Sequence, residues 1–493
     1  MERYHQPDLN KLSMSIIKNK VLIYLSTRYL TYGLQFIQSL IIAVRLGPYY
    51  LGVYGLIQLI ISYFEQINFG IPHSLNVLLV HNKHDRELQD AYTLNSLAIF
   101  SILNVISFVV ALYLCFKGNI TWGEFKIDKY IFLIVLTAIL SYYNSVLTMV
   151  VRFRNQVNIL SIVGTLPVIV NFIVIFFFEE ESLVFALFVA VLFSYVLNLS
   201  IFYNIGAVPR LAFNELSVSC QIRIVRKGLY LFLYNSCFYL ILIGVRTLIS
   251  RNYTVEEYGY FTFSFTIANA VMLLLSSLST IIFPKTIDMM SGNDVEEKKN
   301  AIQKLRIGYI TTANLLIYFA LMCFPIVTMI FSKYEPALTS MNLIALAILM
   351  NTNSYGYITL LIAQNKEKLT SRLSFSALVL SLMVGSLLVY VLYVDFSYVI
   401  LSVMCGYLLF SFLGYYYGNK ELFGRASFIY AVKNFFPSKY SFPYAVAIGL
   451  SVIQFEKFLW VPFILFIILN YKDFKKLMEL LLKLIKNPNI IDV

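Results

Sequence analysis

Polar side chains recur on one face of the first long apolar segment, at helical spacing. Arg28, Tyr32, Gln35 and Ser39 lie at i, i+4, i+7 and i+11, and Gln38 adjoins them. The planar fork of an arginine matches phosphate oxygens, while amides and phenols can bond sugar hydroxyls. The stripe is therefore a candidate binding site for an anionic or phosphorylated substrate.

The seventh apolar segment carries a matching stripe. Asn235, Tyr239 and Arg246 lie at i, i+4 and i+11, which repeats the spacing found on the first segment. Two such stripes, each with one arginine, predict two helices that face a shared central cavity. A purely structural use of the arginines is the alternative: Arg28 in particular can snorkel towards the interface or pair with Glu65.

The second apolar segment supplies an acidic candidate. Glu65, Asn68, Pro72 and Asn76 lie at i, i+3, i+7 and i+11, with His73 beside them. We expect Glu65 to neutralise an arginine or to carry a coupling proton, with Asn68 and His73 in the same candidate set. Because Pro72 removes a backbone hydrogen bond, it favours a bend in this helix.

Other kinds of chemistry find little support in the sequence. The five cysteines and four histidines form no CxxC or HExxH arrangement, so we expect no metal site, and we expect no cofactor. No G-x-x-x-x-G-K-[ST] sequence is present, which argues against an ATP motor on this chain. We identify no catalytic residues and predict that the protein is not an enzyme.

The segments that carry these residues indicate a polytopic membrane protein. Of 493 residues, 59% are hydrophobic and 13% are charged, whereas soluble domains carry about 25% charged residues. Twelve apolar runs are long enough to cross a bilayer, and two shorter ones follow. The runs fall at about 16–44, 53–80, 92–116, 130–151, 159–178, 183–204, 228–250, 258–284, 307–331, 338–363, 372–393, 397–418, 442–455 and 458–471.

The distribution of basic residues predicts the orientation in the membrane. If the N-terminus is cytoplasmic, 29 of the 38 Lys and Arg residues fall in cytoplasmic segments and 7 on the opposite side. This asymmetry obeys the positive-inside rule. The net charge of +12 therefore indicates topology and attraction to anionic lipid, and we expect no nucleic-acid partner.

The apolar runs also suggest a duplication. A shift of 207 residues places the first six runs on the next six, although any twelve-helix chain with short loops gives a roughly even spacing. We predict an all-α protein with two parallel six-helix bundles and about two further helices, 12 to 14 spanning helices in all, with both termini cytoplasmic. The predicted parts are a lobe at 1–204, a cytoplasmic linker at 205–227, a second lobe at 228–418, and a final part at 419–493 with an interfacial segment, two short apolar runs and a basic amphipathic tail.

The stretch RLGPYYLGVYGLIQLI, followed by INFGIPHSLNVLLV, joins the first two segments. It resembles the helix 1 to helix 2 signature of the O-antigen and repeat-unit flippases (the Wzx family). These proteins form part of the polysaccharide-export branch of the multidrug/oligosaccharidyl-lipid/polysaccharide (MOP) exporter superfamily. The residues that match the signature are Arg45, Leu46, Gly47, Pro48, Gly52, Tyr54 and Gly55. Asn68 stands where that family often has an acid, so a role for that carboxylate does not transfer.

The resemblance implies a MATE-like fold and transport by alternating access with ion or proton coupling. The implied substrate is an undecaprenyl-diphosphate-linked oligosaccharide, moved across the bacterial inner membrane for O-antigen, capsule or exopolysaccharide assembly. Implied partners are this lipid-linked glycan, anionic lipids, and the polymerase and chain-length regulator of the same pathway.

Three other functions stay open at this point. The sequence pattern alone does not exclude a lipid II flippase of the same superfamily. A multidrug antiporter would favour several buried carboxylates, whereas Glu65 is the one acid within the first six runs. A membrane polysaccharide polymerase or glycosyltransferase usually needs a large outer loop, and the longest here, KGNITWGEFKID, has about a dozen residues.

Overall fold

The computed structural model describes residues 20–118, 120–209, 216–271, 290, 295–424 and 427–475. The predicted amphipathic tail lies largely outside these residues, as do parts of the predicted linker and of the eighth apolar run. The helices are α1 (Lys20–Gln66), α2 (Ile71–His81), α3 (Arg86–Lys117), α4 (Ile131–Phe153), α5 (Val157–Val174), α6 (Glu180–Asn204), α7 (Val218–Asn252), α8 (described over 255–271), α9 (Val295–Ile330), α10 (Leu338–Thr352), α11 (Tyr357–Ala363), α12 (Glu367–Tyr390), α13 (Leu401–Phe423), α14 (Phe428–Asn434), α15 (Ser438–Val452) and α16 (Val461–Leu469). Two short strands, β1 (Thr121–Trp122) and β2 (Phe125–Lys126), pair antiparallel between α3 and α4.

This is the fold of a mostly helical polytopic membrane protein, as the apolar runs predicted. In the part of the chain that the structure describes, eight helices are long and apolar enough to cross a membrane. The count becomes nine if the segment Ser332–Thr352, which contains α10 and the 3₁₀ turn before it, forms one span with α11. The two parts of this span are bent by 47° at their junction. The two short runs near the C-terminus form α15 and α16, of 15 and 9 residues.

The stretch that joins the first two apolar segments, which contains Gly47, lies inside α1. Gly47 has φ 64° and ψ 176°, outside the helical region, so α1 consists of two helical segments that meet at this residue. A side chain would strain this backbone conformation, which explains why glycine stands here. Pro48 follows and suits the first turn of the second segment.

A second break follows Gln66, where α1 ends and α2 begins after four residues. Phe69 and Gly70 both have positive φ, at 50° and 70°. Pro72 occupies the first turn of α2, where the missing N–H costs no helical hydrogen bond. The bend expected at Pro72 is therefore a full interruption of the helix just before it.

The described chain forms two compact units. The first contains the residues up to Tyr50 and Ile60–Leu229. In it α4 packs against α2, α3, α5 and α6, around a core that includes Leu75, Val146 and Phe202. The rings of Phe100 and Tyr142 stack in this core with centroids 4.7 Å apart.

The second unit contains Leu51–Leu59 and Tyr230–Val493. Its central element is α10, which is buried along almost its whole length and packs against α9, α13 and α15. The predicted lobes, with boundaries at 204 and 228, stay a prediction. The assignment of 51–59 to the second unit was not anticipated.

Candidate functional site

A polar cavity of about 400 Å³ lies within the first unit, beside the break between α1 and α2. Its wall comes from four helices and the break itself, and carboxylate, amide, hydroxyl and phenol groups all contribute. The lining residues are Glu65, Asn68, Ser141, Tyr142, Asn144, Ser145, Thr148, Leu160, Val163, Gly164, Pro167, Tyr195 and Asn198. Glu65 is the one charged side chain in this described wall.

The break that carries Glu65 is held by the side chain of Asn68. The Asn68 amide Nδ2 donates to the carbonyl of Glu65 at 2.6 Å, and its Oδ1 accepts from the N–H of Gly70 at 2.8 Å. The Tyr142 hydroxyl donates to the carbonyl of Phe64. These bonds satisfy backbone groups that lose their helical partners at the break. The same bonds fix the direction in which Glu65 leaves the backbone.

Glu65 and Asn68, which belong to one candidate set, both line the cavity. His73, the third member of that set, does not. The His73 side chain is exposed on α2 and does not belong to the described wall of the cavity. The spacing from 65 to 76 assumed one continuous helix. Because the helix is interrupted between Gln66 and Ile71, that spacing does not place His73 beside Asn68.

The predicted stripe on α1 lies outside this cavity. Tyr32 is half-buried and Gln35 is exposed, and neither lines the described wall. The side chain of Arg28 lies outside what the structure describes. Gln38, 5% exposed, is the most buried amide of the stripe.

The side chains of the predicted stripe on α7 differ in their solvent exposure. Asn235 and Tyr239 are exposed, with 60% of Tyr239 accessible. Arg246 is 6% exposed, donates from Nη2 to the Gly55 carbonyl at 3.0 Å, and lies over the ring of Phe265 with its guanidinium carbon 5.1 Å from the centroid. Its Nε is buried with no partner among the described residues. The assignment of both stripes to one central cavity stays a prediction.

Sequence reasoning missed the asparagines and tyrosines of α4 and α6 that line the cavity. Asn144 and Asn198 each interrupt an apolar run, and a polar side chain in such a run is itself a signal of function. Tyr142 and Tyr195 could not be distinguished by sequence from the other tyrosines of the chain, which has 37 in all. Periodicity along one helix does not reveal which faces of different helices meet.

Sequence reasoning also missed Arg306, which it counted only as one of the basic residues in the cytoplasmic segments. Its Nη1 donates to the carbonyls of Asn353 and Tyr355 at 2.8 and 3.3 Å, and its Nη2 to Asn353 Oδ1 at 3.1 Å. The guanidinium also lies 4.9 Å from the ring centroid of Tyr357. Because α10 ends at Thr352 and α11 begins at Tyr357, Arg306 caps the carbonyls exposed by that bend.

Transition-metal chemistry has no ligand set in the described residues, where no three His, Cys, Asp or Glu side chains cluster. Two interruptions carry polar groups instead: the one between α1 and α2, and the one between α10 and α11. Interrupted helices at membrane depth are a recurrent feature of ion and substrate sites in secondary transporters.

The chain has the fold seen in solved structures of transporters and flippases of the MOP superfamily. It is similar to the lipid II flippase MurJ in an inward closed conformation, with a TM-score of 0.68, 11% identity, and coverage of 94% of this chain and 100% of that one. It is also similar to an inward-facing multidrug resistance MATE family transporter (TM-score 0.66, 14% identity, 80% and 94% coverage). A third neighbour is a MOP superfamily transporter from Pyrococcus furiosus (TM-score 0.52, 14% identity, 83% and 95% coverage). No protein-family model matches the sequence, and no curated protein does.

Proposed function

We propose that this protein is a flippase for undecaprenyl-diphosphate-linked oligosaccharide repeat units in the bacterial inner membrane, working in O-antigen, capsule or exopolysaccharide assembly. The single observation that supports it most is the extent of the fold: a structure named as a lipid II flippase matches 94% of this chain. The motif at 45–55 and the two arginine stripes favour the glycan branch within that fold.

The proposed division of labour follows from chemistry. The diphosphate needs cationic donors, which Arg28 and Arg246 supply, and sugar hydroxyls need groups such as those of Tyr32, Gln35, Asn235 and Tyr239. The apolar lipid tail stays in the bilayer while the headgroup crosses. Anionic lipids, the polymerase and the chain-length regulator remain proposed partners.

Arg246 must change its contacts to take part. In this structure one guanidinium nitrogen is committed to the Gly55 carbonyl, and the side chain is 6% exposed. Diphosphate binding therefore requires the guanidinium to exchange a neutral carbonyl for phosphate oxygens. Both contacts have a charged donor, but phosphate oxygens are charged as well and can accept two parallel hydrogen bonds from the guanidinium, so the exchange is favourable where the substrate can reach it.

A deletion strain tests the proposal. Loss of the protein should abolish the surface polysaccharide while lipid-linked repeat units accumulate on the inner leaflet. Unpolymerised units on the outer leaflet would contradict the proposal and favour a polymerase. Accumulated lipid II in place of glycan repeat units would favour the lipid II flippase alternative.

The arginine roles are tested with variants in the complemented strain. Arg28→Ala and Arg246→Ala should abolish export at normal membrane levels of protein, and the lysine variants should keep part of it. Arg251→Ala is the matched control, because Arg251 is an exposed arginine at the end of the same helix as Arg246. Wild-type export from both alanine variants would remove the arginines from the proposed site.

A multidrug antiporter of the same superfamily is the second candidate. The observation that favours it is the carboxylate-containing cavity of the first unit, which suits a cation better than a diphosphate. An antiporter would restore drug tolerance to a pump-deficient strain and leave surface polysaccharide unchanged on deletion.

A further inference from the structure

A second cavity of the first unit, of about 890 Å³, lies between α5 and α6 and is lined mainly by apolar side chains. Val170 and Val174 of α5 form one side, and Phe185, Val189 and Phe193 of α6 form another. These three α6 side chains are 50%, 42% and 54% exposed, so the cavity is a groove that is open along one side. Because α6 is long and apolar enough to cross a membrane, the open side meets the hydrocarbon of the bilayer.

The groove follows α6 for about the depth of one leaflet. Its lining extends from Glu181 to Phe193, which are 12 residues apart, and the helical rise of 1.5 Å per residue makes this distance about 18 Å. Half of a hydrocarbon core about 30 Å thick is about 15 Å. A groove of this length and apolarity suits one extended acyl chain of a phospholipid.

The charged groups of the groove lie together at one end of it. The ammonium of Lys129 pairs with the carboxylate of Glu181, and it also lies 5.4 Å from the ring centroid of Tyr130, which lines the groove as well. The Lys129 and Glu181 side chains are 55% and 49% exposed, so each can contact a further group. They are the one cation and the one anion in the described wall. The apolar groove therefore ends in a positive and a negative charge side by side.

We propose that this groove binds a phospholipid with a phosphoethanolamine headgroup. One acyl chain lies between α5 and α6, the lipid phosphate accepts a hydrogen bond from Lys129, and the lipid ammonium donates to Glu181. A zwitterionic headgroup matches both charges, whereas an anionic headgroup contacts Lys129 and is repelled by Glu181. A phosphocholine headgroup has no N–H group to donate to the carboxylate, so it binds more weakly.

The same charges disfavour the transported lipid of the proposed function as the occupant. A diphosphate brings more than one negative charge, and a lysine that is already paired with a glutamate does not balance them. Phospholipid binding in this groove does not depend on which substrate the chain moves. It stands for a lipid-linked glycan, lipid II or a drug, so its failure and that of the proposed function are separate results.

The test measures lipid binding to the full-length, delipidated protein in detergent by native mass spectrometry. The probes are phosphatidylethanolamine, phosphatidylcholine and phosphatidylglycerol with identical dioleoyl chains. The wild type should retain one phosphatidylethanolamine per chain saturably, at lower lipid concentration than the other two. The same lipid should raise the apparent melting temperature most, because it binds the folded state.

Variants at the charged end should change the headgroup preference in opposite ways. Glu181→Gln should weaken phosphatidylethanolamine binding about 5-fold, as expected for one partly exposed ion pair, and should strengthen phosphatidylglycerol binding. Lys129→Gln should weaken the binding of both lipids. Ala186→Phe, which puts a ring into the groove, should weaken the binding of all three. A general loss of structure would not reverse the preference in Glu181→Gln alone.

Three matched variants serve as controls. Lys126→Gln and Glu124→Gln each remove an exposed charge of the hairpin before α4, and Val196→Phe adds a ring to an exposed position of α6 outside the described wall. All three should bind the lipids like the wild type. Equal binding of the three lipids to the wild type would indicate ordinary boundary lipid and would overturn the proposal. Displacement of phosphatidylethanolamine by undecaprenyl diphosphate would assign the groove to the transported lipid and would overturn it as well. Because Lys129 and Glu181 are exposed, their variants decide the matter even if Ala186→Phe does not fold.

Discussion

The guanidinium of Arg246 and the carbonyl of Gly55 are joined by a 3.0 Å hydrogen bond inside the second compact unit. The Tyr258 hydroxyl lies 3.4 Å from the same carbonyl. A helical carbonyl that accepts from outside its own helix requires close approach of the donors, and the absent side chain of glycine allows it. Residues 51–59 are thus held in the second unit by contacts that depend on small residues.

Gly55→Ala should destabilise the protein through overpacking. A Cβ at this position would lie 2.3 Å from Thr262 Oγ1 and 2.8 Å from its Cγ2, and overpacking of a tight contact costs about 1 to 3 kcal/mol. The measurement is the apparent melting temperature of the purified protein in detergent. Thr262→Ala removes both of these atoms, so the double variant should recover part of the loss.

Gly33→Ala is the control for this substitution. Gly33 also lies in α1, but a Cβ there meets no atom within 4 Å. Its melting temperature should equal or exceed that of the wild type, because alanine favours the helix. Equal stability of the Gly55→Ala and wild-type proteins would show that residues 51–59 are not held as the structure has them.

The break beside Glu65 gives a second prediction, at Gly70. With φ 70° and ψ 13°, Gly70 is in the left-handed region, which costs an alanine about 1 to 2 kcal/mol. Gly70→Ala should therefore lower the apparent melting temperature of the purified protein, because alanine strains the backbone of the break. Gly70→Asn should be milder, since asparagine tolerates this conformation.

Gly449→Ala on α15 serves as the comparison for Gly70, because a Cβ at Gly449 meets no atom within 4 Å. We expect no loss of stability from it. A Gly70→Ala protein as stable as the wild type would contradict the strained backbone at Gly70.

The bend between α10 and α11 gives a third prediction, at Arg306. Arg306→Lys keeps the charge but has a single nitrogen, so it cannot contact the Asn353 and Tyr355 carbonyls and Asn353 Oδ1 as Nη1 and Nη2 of the arginine do. Loss of a hydrogen bond to a charged group costs about 1.5 to 3 kcal/mol, so thermal stability should fall clearly. Arg226→Lys, at an exposed arginine of α7, should change nothing. Equal effects of the two variants would refute a capping role for Arg306.

Much of the fold could be predicted from apolar runs alone, because each spanning helix must satisfy its own backbone in the bilayer. The hinge at Gly47 and the interruption near Pro72 could also be predicted, since glycine and proline act on the local backbone. Arg45, a residue of the same signature stretch, forms an ion pair with Glu179 at 2.5 Å.

The cavity could not be predicted in the same way. Asn144 and Asn198 lie 54 residues apart in sequence, and their meeting depends on how α4 and α6 pack. The stripe on α7 predicted one environment for Tyr239 and Arg246, but the structure exposes the first and buries the second. A helical face identifies which side chains are neighbours on one helix, while tertiary contacts decide which of them reach a cavity.

The predicted orientation can be tested on the short hairpin between α3 and α4. In a variant with the five native cysteines replaced by alanine, Glu124→Cys places a thiol in an exposed turn, and Asn365→Cys places one in the exposed connection between α11 and α12. The excess of Lys and Arg in the segments assigned to the cytoplasm puts residue 124 outside and residue 365 inside. A membrane-impermeant maleimide added to intact cells should therefore label the first thiol and leave the second unlabelled until the cells are opened. The reverse pattern would place the basic loops outside and would remove the direction of transport, from the cytoplasmic to the outer leaflet, on which the proposed flippase depends.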